Sequence, residues 1–213
     1  MDIERFRRGL DERFDDFPRS EVPRDLRFAE ILDAVPGLAR ANNLALLNAA
    51  ASCLEAREAY VEVGTYRGTS LIAAMPDNDA EFVAIDDWSL GDGSREQLDR
   101  NLDRFGFAGR PEIIEGDAFE TLRSGRLAGR AVGVYYYDNG HEYEQQLEGL
   151  RLIEPYLVTP ALVIVDDTDW ERVERAVEDY LAQQPRATEI LRIDGKDRGS
   201  PHWWEGMRVL RWD

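Results

Sequence analysis

The chain is poor in the residues that mark several large protein classes. Cys53 is its single cysteine, so no intrachain disulfide can form, and the apolar stretch from Ala49 to Leu54 reads it as a packed small hydrophobe before a nucleophile. Lys196 is the sole lysine, and the other cations are scattered arginines that form no basic block. With 26 Lys+Arg against 43 Asp+Glu the formal net charge is −17, a field that repels phosphate backbones and anionic bilayers, so neither nucleic acid nor membrane is expected as a partner. Nowhere do eighteen apolar residues run together, and the opening MDIERFRRGLDERFDD is charged from its second residue without an apolar core. The expectation is a soluble, cytoplasmic protein. Internal repeats and low-complexity tracts are also missing. At 213 residues the chain is too short for two fused enzymes, and its 43% hydrophobic and 10% aromatic content supplies one core, with the 32% charged fraction as surface.

Two patterns divide the chain. Residues 1–57 carry a charged, weakly helical stretch from Asp2 to Phe17, punctuation at Pro18 and Pro23, and apolar residues at helical spacing over Arg24–Val35 and Asn42–Ala56; they predict an N-terminal helical cap. Over residues 58–213 short apolar runs recur as AYVEV, EFVAID, PEIIE, AVGVYYYD and ALVIVDD, separated by the helical segments Thr69–Met75, Ser94–Phe105, Tyr143–Tyr156 and Trp170–Gln183. Strand-helix alternation of this kind implies a parallel sheet covered on both faces. The last two runs, ATEILRI and GMRVLRW, are too close for a crossover helix and predict an antiparallel pair joined by the loop Asp194–Glu205. The fold class is therefore α/β: a Rossmann-like, doubly wound, mostly parallel seven-stranded sheet with an antiparallel last strand.

Ligands of open α/β sheets sit beyond the carboxyl ends of the strands. The first strand ends in Glu62-Val63-Gly64-Thr65-Tyr66-Arg67-Gly68. Two glycines four apart permit positive φ and close approach to backbone, while the following helix start offers free N–H donors. Neither G-x-G-x-x-G nor G-K-[ST] is present, which removes most of the support for NAD chemistry and P-loop phosphoryl transfer. Strand two ends in Asp86-Asp87, about twenty residues on, where a carboxylate accepts from ribose hydroxyls. Strand three is followed by Gly116-Asp117-Ala118-Phe119. A glycine turn, a ribose carboxylate and a third acidic turn describe a nucleoside site without phosphate.

In this order and spacing the residues resemble the class I S-adenosylmethionine-dependent methyltransferases, whose first motif is E/D-x-G-x-x-x-G. The resemblance puts Glu62, Gly64, Thr65, Tyr66 and Gly68 at the methionine end of S-adenosylmethionine (SAM), Asp86 and Asp87 at the ribose, and Asp117 and Ala118 at the adenine. Farther on, Asp138-Asn139-Gly140-His141-Glu142-Tyr143 and Asp166-Asp167-Thr168 are similar to segments of the macrocin-type branch of small-molecule and sugar O-methyltransferases. That branch implies a divalent cation, Mg²⁺ first, on Asp138, Asp166 and Asp167, with Asp138 also near the cofactor. Carboxylates converging at adjacent strand ends repel unless a cation neutralises them. Alternatively, Asp166 or Asp167 caps the helix near Trp170. The chain departs from the branch at Leu157-Val158-Thr159-Pro160, where a glycine turn is usual before strand five, and at Asn139, where glycine is usual.

The only histidines are His141 and His202, both expected in loops over one sheet edge. His141, three residues beyond Asp138, is the candidate general base or else a hydrogen-bonded turn residue. Trp203 and Trp204 suit either a pocket wall or packing against the cap. The expected activity is transfer of the SAM methyl to a hydroxyl of a small-molecule acceptor, with Asp138 and His141 at the chemistry. Two other readings stay open on the same residues: a non-catalytic adenosine-ligand binding protein, and a metal-dependent enzyme of other chemistry. Monomer and homo-oligomer are equally open.

Overall fold

The computed structural model describes residues 1–89 and 92–213. Three helices come first: α1 (Ile3–Arg13), α2 (Arg27–Ala34) and α3 (Ala41–Ala51). There follow β1 (Glu58–Val63), α4 (Thr69–Ala74), β2 (Glu81–Asp86), α5 (Arg95–Arg104), β3 (Glu112–Glu115) and α6 (Ala118–Arg123). The chain ends with β4 (Ala131–Tyr137), α7 (Tyr143–Ile153), β5 (Leu157–Asp166), α8 (Glu171–Gln183), β6 (Ala187–Ile193) and β7 (Met207–Trp212). The sheet order is β3-β2-β1-β4-β5-β7-β6. The first five strands are mutually parallel, and β7 runs antiparallel to both β5 and β6. The doubly wound sheet with an antiparallel last strand is thus as the sequence implied.

Period-two alternation sorts the central strands into two cores. Ala59, Val61, Val63, Tyr135, Tyr137, Val163 and Val165 pack with residues of α6, α7 and α8. Tyr60, Phe82, Ala84, Val134, Tyr136, Leu162 and Ile164 pack on the other face with α1 to α5. Glu62 shares the parity of Tyr60, and Asp138 and Asp166 continue the parity of Tyr136 and Ile164, so the acidic strand ends belong to the face that the first helices cover. In α1, Asp2 caps by accepting from the Arg5 N–H at 2.8 Å, and Ile3, Phe6 and Leu10 form the buried stripe. By contrast α3 is buried on nearly every side, wedged between α1, α2 and α4.

Two features go beyond what the sequence pattern implied. Leu157–Pro160 is no turn: β5 begins at Leu157. The register against β4 jumps from Val132↔Leu157 to Val134↔Leu162, and pairing with β7 starts only at Ala161; Pro160, without an N–H, therefore falls in a bulge outside both ladders. The 118–123 segment also forms a helix that apolar spacing did not disclose, because its six residues span under two turns.

Candidate functional site

Beyond the ends of β1, β2, β4 and β5, and under α3, lies a cavity of about 330 Å³. Its floor is the junction of β1 and β4. The Gly64 N–H donates to Ile85 O and the Asp138 N–H to Val63 O, each at 3.0 Å. Gly64 has φ +86°, and a Cβ there would collide with the Asp138 carbonyl. The glycine is required by the close approach of the two strand ends, which bring the first turn against the second acidic cluster.

One wall is the turn pair after β1 and β2. Asp86 locks it: Oδ2 accepts from the Tyr66 N–H and Oδ1 from the Trp88 N–H, both at 2.7 Å. The Trp88 indole then donates to Tyr66 O at 2.7 Å. Tyr66 and Trp88 hold left-handed backbone, φ 51° and 50°, conformations that L-residues keep only when their surroundings fix them. Gly64, Thr65, Tyr66, Asp86 and Asp87 all line the cavity, and Thr65 Oγ1 is buried there without a partner. Glu62 stands behind this wall, fully buried, accepting from Tyr60 Oη at 3.0 Å and Ser70 Oγ at 2.9 Å. Burial outweighs those bonds and pushes its carboxyl up to about 7. Gly68, Asp117 and Ala118 are not among the described lining residues. Gly68 starts α4 at φ +91°, close against Leu98, and Asp117 caps α6 by accepting from the Glu120 N–H at 2.7 Å.

The facing wall holds Asp138, His141 and Asp167, whose ligand atoms all lie within 4.8 Å of one another. His141 Nε2 sits 2.7 Å from Asp167 Oδ2 and 3.7 Å from Asp138 Oδ1, yet no hydrogen bond is aligned with it. Burial disfavours the imidazolium, but the two carboxylates more than offset it and lift His141 to about 10. Asp167 has φ 55°, which turns its side chain into the cavity. Neither of the paired aspartates caps α8, whose N-cap is Trp170 without a side-chain bond.

Of the expected cation set, Asp138 and Asp167 stand in this group, and Asp166 lies beneath it. It is 3% exposed, with Oδ2 accepting from Tyr136 Oη and Oδ1 from the Asp167 N–H. Burial, then Asp138, raise its carboxyl well above the usual range. His141 takes its place in the cluster. Two carboxylates and an imidazole fit a divalent ion, and the nitrogen widens the choice from Mg²⁺ to Mn²⁺, Fe²⁺ or Zn²⁺.

The tryptophan pair divides. Trp203 is fully buried against Phe14 and Phe17, with its indole donating to Pro18 O at 2.7 Å, so it fastens the last loop to the first helices. Trp204 lines the cavity, and His202 is not among its described lining residues. Sequence reasoning missed Asn43, Leu44 and Leu47 of α3, together with Trp170 and Glu205, all of which line it. The asparagines in the mostly apolar α3 were the available sign.

Comparison with known proteins agrees with this geometry. The model of a family described as a methyltransferase domain matches residues 61–168, from β1 to the end of the Asp166-Asp167-Thr168 turn. No curated protein matches. Among solved structures, an O-methyltransferase of tomaymycin synthesis from Streptomyces achromogenes, in complex with SAM, superposes with a TM-score of 0.65 at 23% identity, over 90% of this chain and 91% of that one. A Bacillus cereus O-methyltransferase in complex with SAH gives 0.64 at 13%, over 90% and 93%. A putative caffeoyl-CoA O-methyltransferase from Staphylococcus aureus gives 0.58 at 18%, over 88% and 90%. At these identities the likeness is one of fold.

Proposed function

We propose that this chain, which belongs to the methyltransferase-domain family, moves the methyl group of SAM to a hydroxyl of a small molecule with the help of a divalent cation. One observation supports the reading: a single cavity is lined both by the Gly64–Tyr66 and Asp86–Asp87 turns and by the Asp138, His141 and Asp167 group. The S. achromogenes and B. cereus proteins, in complex with SAM and SAH, support it by likeness of fold.

Bound SAM supplies an electrophilic methyl on a sulfonium, so a C–S bond breaks as a C–O bond forms and the electron pair stays on sulfur. A cation held by Asp138, His141 and Asp167 supplies positive charge that acidifies a nearby hydroxyl. The rest falls to the chain's own groups. Asp86 and Asp87 offer carboxylate oxygens to ribose hydroxyls, and Thr65 Oγ1 offers an unspent hydroxyl. Leu44 and Leu47, with Trp170, exclude water from the cavity centre, which favours displacement by the aligned acceptor over hydrolysis. Asp138 and Asp167 orient the acceptor oxygen. His141 either holds the cation with them or takes the hydroxyl proton.

Calorimetry with SAM, with and without Mg²⁺ or Mn²⁺, followed by a screen of hydroxylated metabolites for S-adenosylhomocysteine release, tests this. SAM binding that survives EDTA, with turnover that does not, is the expected result. Absence of SAM binding sinks the proposal; binding without turnover on any hydroxyl returns the non-catalytic reading. Turnover in excess EDTA removes the cation.

A further inference from the structure

The α3 side of the cavity carries polar atoms that neither the SAM wall nor the cation group uses. Asn43 is 1% exposed and Glu205 is 7% exposed, and both line the cavity. Asn43 Oδ1 accepts from the Trp204 N–H at 3.1 Å and from the Arg40 N–H at 3.3 Å. Those donors fix the orientation of the amide, so Nδ2 is the end left over, and it has no partner. Glu205 Oε1 is paired with Lys196 Nζ, while Oε2 is buried and unpartnered. A buried donor and a buried carboxylate oxygen left unmade cost free energy that a ligand would recover. Trp204 stands beside them, steadied by Lys196 Nζ at 3.6 Å and the Arg40 guanidinium at 5.1 Å from its ring. Neither cation reaches the lining. Among the described residues the cavity is walled by Asp86, Asp87, Asp138, Asp167 and Glu205, with no lysine or arginine.

We infer that the methyl acceptor is a hydroxylated amine, held with its ammonium on Glu205 Oε2 and an oxygen on Asn43 Nδ2, its body against Leu44, Leu47 and Trp204. The inference rests on the methyltransferase reading and specifies its substrate class. An acceptor bearing a carboxylate or phosphate meets five carboxylates and no lysine or arginine, and the His141 imidazole is already held between Asp138 and Asp167; repulsion counts against it. An ammonium meets in Glu205 Oε2 a buried carboxylate oxygen that neither backbone nor neighbouring side chains have claimed.

Two matched series serve as probes: dopamine, catechol and 3,4-dihydroxyphenylacetate, and glucosamine, glucose and glucuronate. Each is titrated calorimetrically into the full chain, with and without S-adenosylhomocysteine and Mn²⁺. In at least one series the amine binds ten-fold or more tighter than the neutral member, and the carboxylate shows no binding. Glu205→Gln abolishes the ten-fold preference. Lys196→Met moves the other way, enlarging the amine's advantage, because the Glu205 carboxylate loses its internal partner; a merely structural role for Glu205 predicts no such gain. Failure of both amines to bind, carboxylates binding as well as amines, or a preference unaltered in Glu205→Gln each overturns the inference. Lack of S-adenosylhomocysteine binding is a separate result: it removes the methyltransferase reading, while the amine preference is still read on the free protein.

Discussion

The two walls of the cavity are finished to different degrees. On the side proposed to take SAM, both oxygens of Asp86 are committed to backbone N–H groups and Trp88 clasps Tyr66, so that wall is shaped by its own hydrogen bonds. On the facing side, Asn43 Nδ2 and Glu205 Oε2 are buried without partners, and His141 Nε2 has only the ion-pair contact with Asp167. Where groups are left unpaired, the missing partners are expected from outside the chain. The comparison teaches that the wall proposed for the nucleoside is shaped by the chain itself, whereas the facing wall keeps polar groups that a ligand could pair.

The hardest test of the comparison is Gly64→Val, which strikes the joint between the walls. Its Cβ would meet the Asp138 carbonyl, and valine is poorly suited to φ +86°. SAM binding, cation binding and methyl transfer should all be lost, with a marked fall in melting temperature. Calorimetry and thermal melts read this; retention of either ligand would show that the walls are built independently. Next in size is Asp167→Asn. Removing one cation-facing carboxylate should weaken Mn²⁺ binding by at least about 10–100-fold, the scale of even a supporting group's loss, with SAM affinity little changed. His141→Ala then separates two roles: a ligand is compensated by excess cation, whereas a general base costs about 10²–10⁴ in rate that cation does not restore.

That asymmetry also explains what was legible beforehand. The strands, their mostly parallel arrangement and the antiparallel ending could be read because buried strands need apolar runs and crossovers need helices. Gly64, Asp86 and Asp138 stood at strand ends, where position alone suggests function. The different surroundings of Asp166 and Asp167 were not legible, because a pair of adjacent aspartates gives no clue to which one turns outward. That is decided by the left-handed backbone of Asp167 and by Tyr136, thirty residues earlier. Asp117 and Gly68 stand at helix starts, a local role that the residue types alone did not disclose. Asn43 and Glu205 were invisible because their importance lies in bonds they fail to make, which only the packing of α3 against the last loop reveals.

A smaller effect is expected from Glu62, the buried carboxyl behind the SAM wall. Its folded value of about 7 lies above the ordinary 4.5; Tyr60 and Ser70 donate to it, and Asp138 faces it across the site. Below about pH 4.5 both folded and unfolded chains hold the proton and nothing is lost. As pH rises toward 7 and beyond, the unfolded chain ionises freely while the native one resists, so native stability declines by on the order of 3 kcal/mol. Glu62→Gln should remove this segment from a plot of unfolding free energy against pH, making the variant relatively more stable at pH 8 than at pH 4. A parallel pair of curves would place the charge on Glu62 in both states.

The mildest change sharpens the comparison most. If the SAM wall is preorganised by Asp86, then Asp86→Ala removes two backbone bonds as well as a ribose acceptor. The backbone part should appear without ligand, as a lower melting temperature and faster hydrogen exchange at Tyr66 and Trp88. The ligand part should appear as a loss of about 1–3 kcal/mol in SAM affinity, the scale of a polar group deprived of its partner. Asp86→Asn divides the two: its single carbonyl oxygen keeps one of the two backbone bonds, and its amide turns a donor toward the other N–H. Its exchange rates should fall between wild type and alanine, and so should its SAM affinity if the carboxylate touches ribose. Should asparagine loosen the turns yet bind SAM as wild type does, Asp86 shapes the wall without touching the ligand, and the ribose contact passes to Asp87, which lines the same cavity.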